Sequence, residues 1–358
     1  MGASSKRSAS AGKPIRKNKI SIKDIAELAS VSVGTVSNVL NGKIPVAPAT
    51  EARVLDAIKT TGYAPSPAAV ALRKGVSNLV GVIVLDISNP FFMEAAAGMD
   101  ATLSTNDCFA ALASTCSDED REREIIRSFI NMGVRSILLT PTGQDLSAAY
   151  EAVDAGVPVV LFDSTLNPEK LSSVSVDDKS GAKIAINHLL DLGHRKILFL
   201  NGPSKLQQSV SRLSGVKEAC KEYSQKIDLE TIEIDAFTAP AAREAMNKYL
   251  AEIMGKKRDA KKIEALATAI FCANDLMASG ALSSLQSHGI KVPQDVSLIG
   301  FDDIAIASQT SVPLTTISQD METLGAQSAK LALDKNDERK HIQITPELVV
   351  RESTCPPR

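Results

Sequence analysis

Apolar positions change their period along this chain. From Ile20 to Tyr63 they recur at helical spacing in short pieces. Ile22, Ile25, Ala26 and Ala29 form one stripe, and Ser30-Val31-Ser32 interrupts it. Val33, Val36, Val39 and Leu40 form a second stripe that stops at Asn41-Gly42. A third helix is predicted from about Ala49 to Thr60, with Val54, Leu55 and Ile58 turned inward and Gly62 at its end. After Gly75 the texture becomes alternating. Apolar runs bounded by turn residues occur at Val80–Ile87, Phe109–Ala113, Ser136–Thr140, Pro158–Asp163, Val174–Val176, Lys196–Asn201, Thr268–Ala273 and Val296–Phe301. Amphipathic helices are predicted over Asp118–Met132, Lys179–Leu192, Arg212–Tyr223, Asp275–His288 and Asp320–Leu333. Strand–helix alternation of this kind predicts parallel sheets with helices on both faces. Roughly 280 residues of it exceed one doubly wound unit, so two lobes are expected.

This gives four regions: a basic arm over 1–19 read as disordered, a small all-α domain over 20–63, a linker over 64–78, and an α/β body over 79–358. The linker begins Ala64-Pro65-Ser66-Pro67 and continues Ala-rich, enough for one or two helical turns that would not be stable alone.

Charge sharpens the division. Residues 1–75 hold twelve Lys or Arg against four acids, a net +8, so a chain of total −2 leaves −10 for the rest. A basic head on an acidic body points to a polyanionic partner for the head alone, although a solvated basic tail accounts equally well for residues 1–19. The hydrophobic fraction is 44% and the charged fraction 23%, ordinary values for a globular protein. No apolar run reaches the roughly 18 residues of a membrane span, and residues 1–19 lack the apolar core of a secretory signal, so a cytoplasmic protein is expected. The five cysteines are widely spaced with no Cys-x-x-Cys, and the four histidines have no metal-ligand spacing, so no metal and no cofactor are expected. Neither a phosphate loop nor a Gly-x-Gly-x-x-Gly after the first strand is present, and there is no His-Glu-x-x-His. An enzyme is therefore not expected.

Ile22 to Gly42 has the geometry of a helix-turn-helix. Ala26 is small where two helices cross, Val31 and Val36 fill the gap between them, and Ser32 is placed to cap the second helix. The outer face of that helix carries Val33, Gly34, Thr35, Ser37, Asn38 and Asn41, small or polar and never acidic. Such a face fits a major groove, where hydroxyl and amide groups reach phosphates and base edges. A three-helix domain with no nucleic-acid role is the other reading of the spacing.

These residues, the Gly62-Tyr63-Ala64-Pro65 signature and the downstream order of motifs resemble the lactose and galactose repressor family of bacterial regulators, from about Ile20 to Cys355. The resemblance implies base-reading positions at Val33, Gly34 and Asn38, and phosphate-side positions at Ser32, Thr35, Ser37 and Asn41. It implies that the linker becomes a hinge helix on DNA, with Ala69 and Leu72 in the minor groove and Leu72 wedged into the central base step. It implies a body like the periplasmic binding proteins, two lobes joined by three crossings with a ligand in the cleft. The first lobe would take about 79–176 and 320–340, the second about 177–319 and 341–351.

The same likeness implies effector contacts at Phe91, Asp163, Arg212, Phe237, Asn274 and Asp302, each near the carboxyl end of a strand, where such sheets bind ligands. Phe92 is read as core and Asp275 as a helix cap. Leu206 and Gln208 stand where some relatives have cationic or hydroxyl groups, and no Trp is available for sugar stacking. His194 is read as a loop anchor, and 255–263 as a basic surface insertion. The expected protein is a homodimeric transcriptional repressor binding double-stranded operator DNA, with a sugar, another metabolite or a protein co-regulator as effector and no membrane partner. A solute-binding protein of a transport system is the alternative, distinguished by a secretory signal.

Overall fold

The structure, a computed structural model, describes residues 20–41, 44–63, 77–166, 168–254, 265–334, 336 and 338–358. The arm at 1–19, the linker with Ala69 and Leu72, the basic segment 255–263 and the side chain of Asn41 lie outside the described residues. Spatial proximity divides the chain into one unit N-terminal to Ser77 and one from Ser77 to Arg358.

The N-terminal unit contains α1 (Ile22–Leu28), α2 (Val33–Asn41) and α3 (Pro48–Thr61). A reciprocal Ser21–Asp24 capping box starts α1. Its end is a Schellman turn: Val31 N–H reaches the Ala26 carbonyl at 2.9 Å and Ser30 N–H the Glu27 carbonyl at 3.1 Å. Ser30 takes the left-handed conformation, φ 53°, where glycine is the usual occupant. Six buried residues, Ile25, Ala26, Ala29, Val36, Val54 and Ala57, form the core, with Val31 and Ile58 packed against it. Leu55 departs from expectation, being 52% exposed. It lies about 100° around the helix from Val54, and the inward stripe runs Val54, Ala57, Ile58 instead.

The larger unit is built on two parallel sheets. The first contains β1 (Leu79–Val84), β2 (Phe109–Ser114), β3 (Ser136–Leu139), β4 (Val159–Phe162), β5 (Ser172–Val176) and β11 (His341–Ile344), in the order β11-β5-β4-β3-β1-β2. Around it pack α4 (Pro90–Ser104), α5 (Glu119–Met132), α6 (Ser147–Asp154) and α12 (Met321–Leu333). The approach of α4 to α12 depends on Gly98 and Gly325, where a Cβ would strike the Glu322 and Ala95 carbonyls. The second sheet orders β7 (Asp228–Glu233), β6 (Lys196–Asn201), β8 (Ala269–Cys272) and β9 (Ser297–Ile299). With it go α7 (Asp178–Asp191), α8 (Gln207–Glu222), α9 (Ala239–Met254), α10 (Asp275–Ser287) and α11 (Ala305–Gln309). A short antiparallel pair, β10 (Thr316–Ser318) with β12 (Glu347–Val349), completes the described strands.

The assignment of 341–351 to the second lobe is corrected. His341–Ile344 pairs with Ser173–Val176 as the edge of the first sheet. Its alternate residues Ile342 and Ile344 find apolar cover there, against the cluster that holds Val174 and Val176. Only beyond it does the chain return, through β12, to run beside β9, where the Ser353 carbonyl accepts from Leu298 N–H at 2.8 Å.

Candidate functional site

Two surfaces carry chemistry. The first is the outer face of α2. Ser32 Oγ accepts from Thr35 N–H at 3.1 Å, as the expected cap, and pairs with the Thr35 hydroxyl at 2.9 Å. Val36 is fully buried and fixes the helix to the core, leaving Ser32, Val33 and Gly34 exposed and Thr35, Ser37 and Asn38 half-buried. Nothing acidic stands in the first turn of α2, and Asp24 on α1 is held in its capping box. The first turn therefore offers a contiguous neutral surface of methyl, hydroxyl and backbone groups, with the Asn38 amide one turn on.

The second surface is a cleft of about 390 Å³ between the two sheets of the body. Its walls lie at the carboxyl ends of parallel strands, as doubly wound sheets require. Phe91, Asp163, Arg212, Phe237, Asn274 and Asp302 all line it. So do Leu206 and Gln208. Phe92, read as core, does both: it is 4% exposed, packs edge-on to Phe91 at 5.1 Å, and still reaches the cavity. Phe237 lies against Gly202, where a Cβ would collide with its ring. Of eight non-glycine residues with left-handed φ among the described residues, Cys116, Ser117, Asp163 and Asp302 line this cavity. Strain of that kind concentrates where side chains must be aimed rather than where the fold is easiest.

Arg212 organises the floor. Its Nε donates to Asp178 Oδ1 at 2.7 Å, Nη1 donates to the Ala273 carbonyl at 2.5 Å, and Nη2 lies 3.9 Å from Asp302. The guanidinium covers the Phe301 ring at 3.9 Å. Burial opposes its charge, but Asp178 and Asp302 outweigh that, and its pKa rises. The acids respond differently. Burial pushes Asp163 and Asp302 well above the usual carboxylate range. For Asp163 the nearby Asp178 adds to the rise and Arg212 counters it; for Asp302 Arg212 counters it and Asp275 adds to it. Asp163 Oδ2 accepts from Gln208 Nε2 at 2.9 Å, and Asp302 Oδ1 from Gln319 Nε2.

The cap assignment is corrected. Asn274 is the N-cap of α10, its Oδ1 accepting from Met277 N–H at 2.8 Å. Asp275 instead ties three segments together, accepting from Thr316 Oγ1 at 2.6 Å and Ile304 N–H at 3.1 Å, and burial lifts its pKa to about 7. His194 anchors as expected: Nδ1 meets Thr268 Oγ1 at 2.9 Å, and Nε2 meets Ser297 Oγ at 3.1 Å and the Cys355 carbonyl at 2.9 Å.

Sequence reasoning missed Asp178, Gln319, Lys205 and the Cys116-Ser117 pair. Asp178 was findable, because it follows β5 at a carboxyl end. Gln319 sits after a three-residue strand that no periodicity reveals. Among the described residues, no group of three or more His, Cys, Asp or Glu is arranged to hold a metal ion, and no helix is long and apolar enough to cross a membrane.

Comparison with known proteins follows the same division. Residues 21–66 match the family model for bacterial regulatory proteins of the lacI family, and residues 186–354 match that for a periplasmic binding protein-like domain. The chain is 34% identical over 340 residues to a protein of Photobacterium profundum named HTH-type transcriptional repressor PurR, covering 93% of this chain and 98% of that one. The protein of the same name from Histophilus somni is 33% identical over 341 residues, with the same coverage. The transcriptional regulator CelR in complex with cellobiose superposes with a TM-score of 0.67 at 28% identity, covering 93% of this chain and 99% of CelR. A LacI family transcriptional regulator from Enterococcus faecium with bound ribose gives 0.69 at 26%, covering 78% and 100%. The lac repressor dimer bound to operator gives 0.79 at 24%, covering 94% and 100%, a likeness of fold.

Proposed function

The chain belongs to the lacI family of bacterial regulatory proteins, and from that membership we propose how its two surfaces divide the work. The protein is a DNA-binding transcriptional repressor, and a small molecule held in the body controls its affinity for operator. It acts as a homodimer in the cytoplasm, on the nucleoid when operator-bound, with each copy reading one half-site. The cleft carries out no reaction in this reading; it binds.

On α2, Val33 makes apolar contact with a thymine methyl, Gly34 lets the backbone come close to the base edges, and Asn38 bonds a base edge. Ser32, Thr35 and Ser37 face phosphates and set register, and the resemblance alone adds Asn41 to them. The resemblance alone gives Ala69 and Leu72 their minor-groove role. In the cleft, Phe91 and Phe237 present apolar faces to the effector, while Asp163, Arg212, Asn274 and Asp302 supply polar contacts. The convergence of all six effector positions on one cleft, two of them with left-handed φ, supports this reading most strongly.

Effector occupancy changes the relation of the two lobes and thereby operator affinity. Linkage makes the effect reciprocal: operator must change effector affinity by the same factor. Calorimetric titration of the effector with and without saturating operator is expected to give Kd values that differ by about fivefold or more. Equal values would remove the coupling.

A further inference from the structure

The cleft holds more acidic side chains than basic ones, and a hydrogen-bond acceptor that nothing uses. Asp86, Asp163, Asp235 and Asp302 line it, against Lys205 and Arg212. Arg212 is already engaged by a fifth carboxylate, Asp178, at 2.7 Å. Lys205 directs its Nζ to the Ser117 carbonyl at 3.3 Å. Among the described residues no cation makes an ion pair with Asp163, and its carboxylate meets only the neutral Gln208 amide. Gln319 adds an independent sign. It is fully buried at the cavity wall, its Nε2 is given to Asp302, and its Oε1 has no hydrogen-bond partner.

A buried acceptor left unsatisfied is costly, and burial works against the ionised form of Asp163 until a cation pairs with it. Both deficits are met by a ligand that brings hydrogen-bond donors and one positive charge. An anionic ligand would bring further acceptors to a cleft that already has one unused. The apolar part of the wall, Phe91 and Phe237, suits the carbon face of a small ring, and about 390 Å³ suits a molecule of hexose size.

Resting on the reading of the cleft as the effector site, we propose that the effector is a hydroxylated organic ammonium ion of the amino-sugar kind, its protonated amine held by Asp163 and its other donors by Asp302 and Gln319. Asp163 is the specificity-determining residue for the charge, and Gln319 Oε1 accepts a hydrogen bond from a ligand hydroxyl.

The test uses the full chain and three matched sets of probes: 2-amino-2-deoxyhexoses, the parent hexoses, and the N-acetylated forms, which keep the nitrogen and lose its charge. Titration calorimetry at neutral pH is expected to give at least one amine a Kd about tenfold or more below both its partners. That advantage is expected to shrink to less than about threefold in Asp163→Asn, with Asp302→Asn as a second variant and thermal unfolding as the check on folding. A parent hexose or N-acetyl form binding as well as its amine overturns the proposal while leaving the cleft as effector site. Absence of binding by every amine also overturns it. Binding undiminished in Gly202→Ala, which drives Phe237 toward the cavity, would remove the reading of the cleft itself.

Discussion

The DNA-reading unit and the ligand cleft place function in opposite kinds of surroundings. On α2 the working groups are exposed or half-buried, small and uncharged, and six apolar residues behind them supply the rigidity. In the cleft the working groups are themselves buried and ionisable: Arg212, Asp163, Asp178 and Asp302 are each 3–6% exposed. The first arrangement largely separates stability from recognition, so apart from Ser32, which also caps α2, the outer face can be rewritten without loosening the helix. The second fuses them. Arg212 holds Asp178 and lies beside Asp302, so changing one of these groups unbalances the others.

The contrast is broken most sharply at Arg212. Arg212→Ala leaves Asp178 and Asp302 without their cation, and the body is expected to lose about 3–5 kcal/mol, read by urea unfolding. Hydrogen exchange in α1–α3 should not change; faster exchange there would mean that the two regions share stability. Ile25→Ala is the counterpart in the head. Removing a fully buried side chain from so small a core is expected to cost about 2–5 kcal/mol. Operator binding should disappear, while cleft ligands bind as before.

Titration separates the regions next. Burial raises Asp275 to about 7 from its ordinary 3.8, so the folded state keeps a proton that the unfolded chain gives up. The stability this provides is complete below pH 3.8 and is lost as pH rises through 7. Body unfolding followed across that window should show the fall, and Asp275→Asn should make it shallower, leaving the part that Asp163 and Asp302 contribute. A smaller effect belongs to Gly202→Ala, where the new methyl displaces Phe237; effector binding should weaken roughly tenfold, about 1.4 kcal/mol, with effector-free operator affinity unchanged. The smallest is Ser30→Gly. Releasing a non-glycine residue from φ 53° should stabilise the head by roughly 0.5–1 kcal/mol without altering sequence preference.

The same contrast explains what the sequence disclosed. Head helices came through because a small domain has one inward stripe per helix; only Leu55, next to Val54, was turned the wrong way. Central strands such as Lys196–Asn201 read clearly because they are almost wholly buried. The edge strand Asp228–Glu233 did not, since its acids face solvent and leave two apolar side chains, Leu229 and Ile232, to mark it. Pro90–Ser104 and Ala239–Met254 escaped recognition as helices because alanine-rich stretches have weak periodicity. In the cleft, the six effector positions were named by resemblance, but their electrostatic partners were not. Asp178 pairs with Arg212 across 34 residues of sequence, and Gln319 with Asp302 across 17, separations that carry no local pattern.

Most direct for the central claim is selection of duplexes from a random pool by the full chain, repeated with Asn38→Ala. A palindromic motif should emerge for the unaltered chain, and the variant should lose preference at one symmetry-related pair of positions while keeping the others. Enrichment of no motif, or of an identical motif by both proteins, would contradict the assignment of α2 as the reading helix.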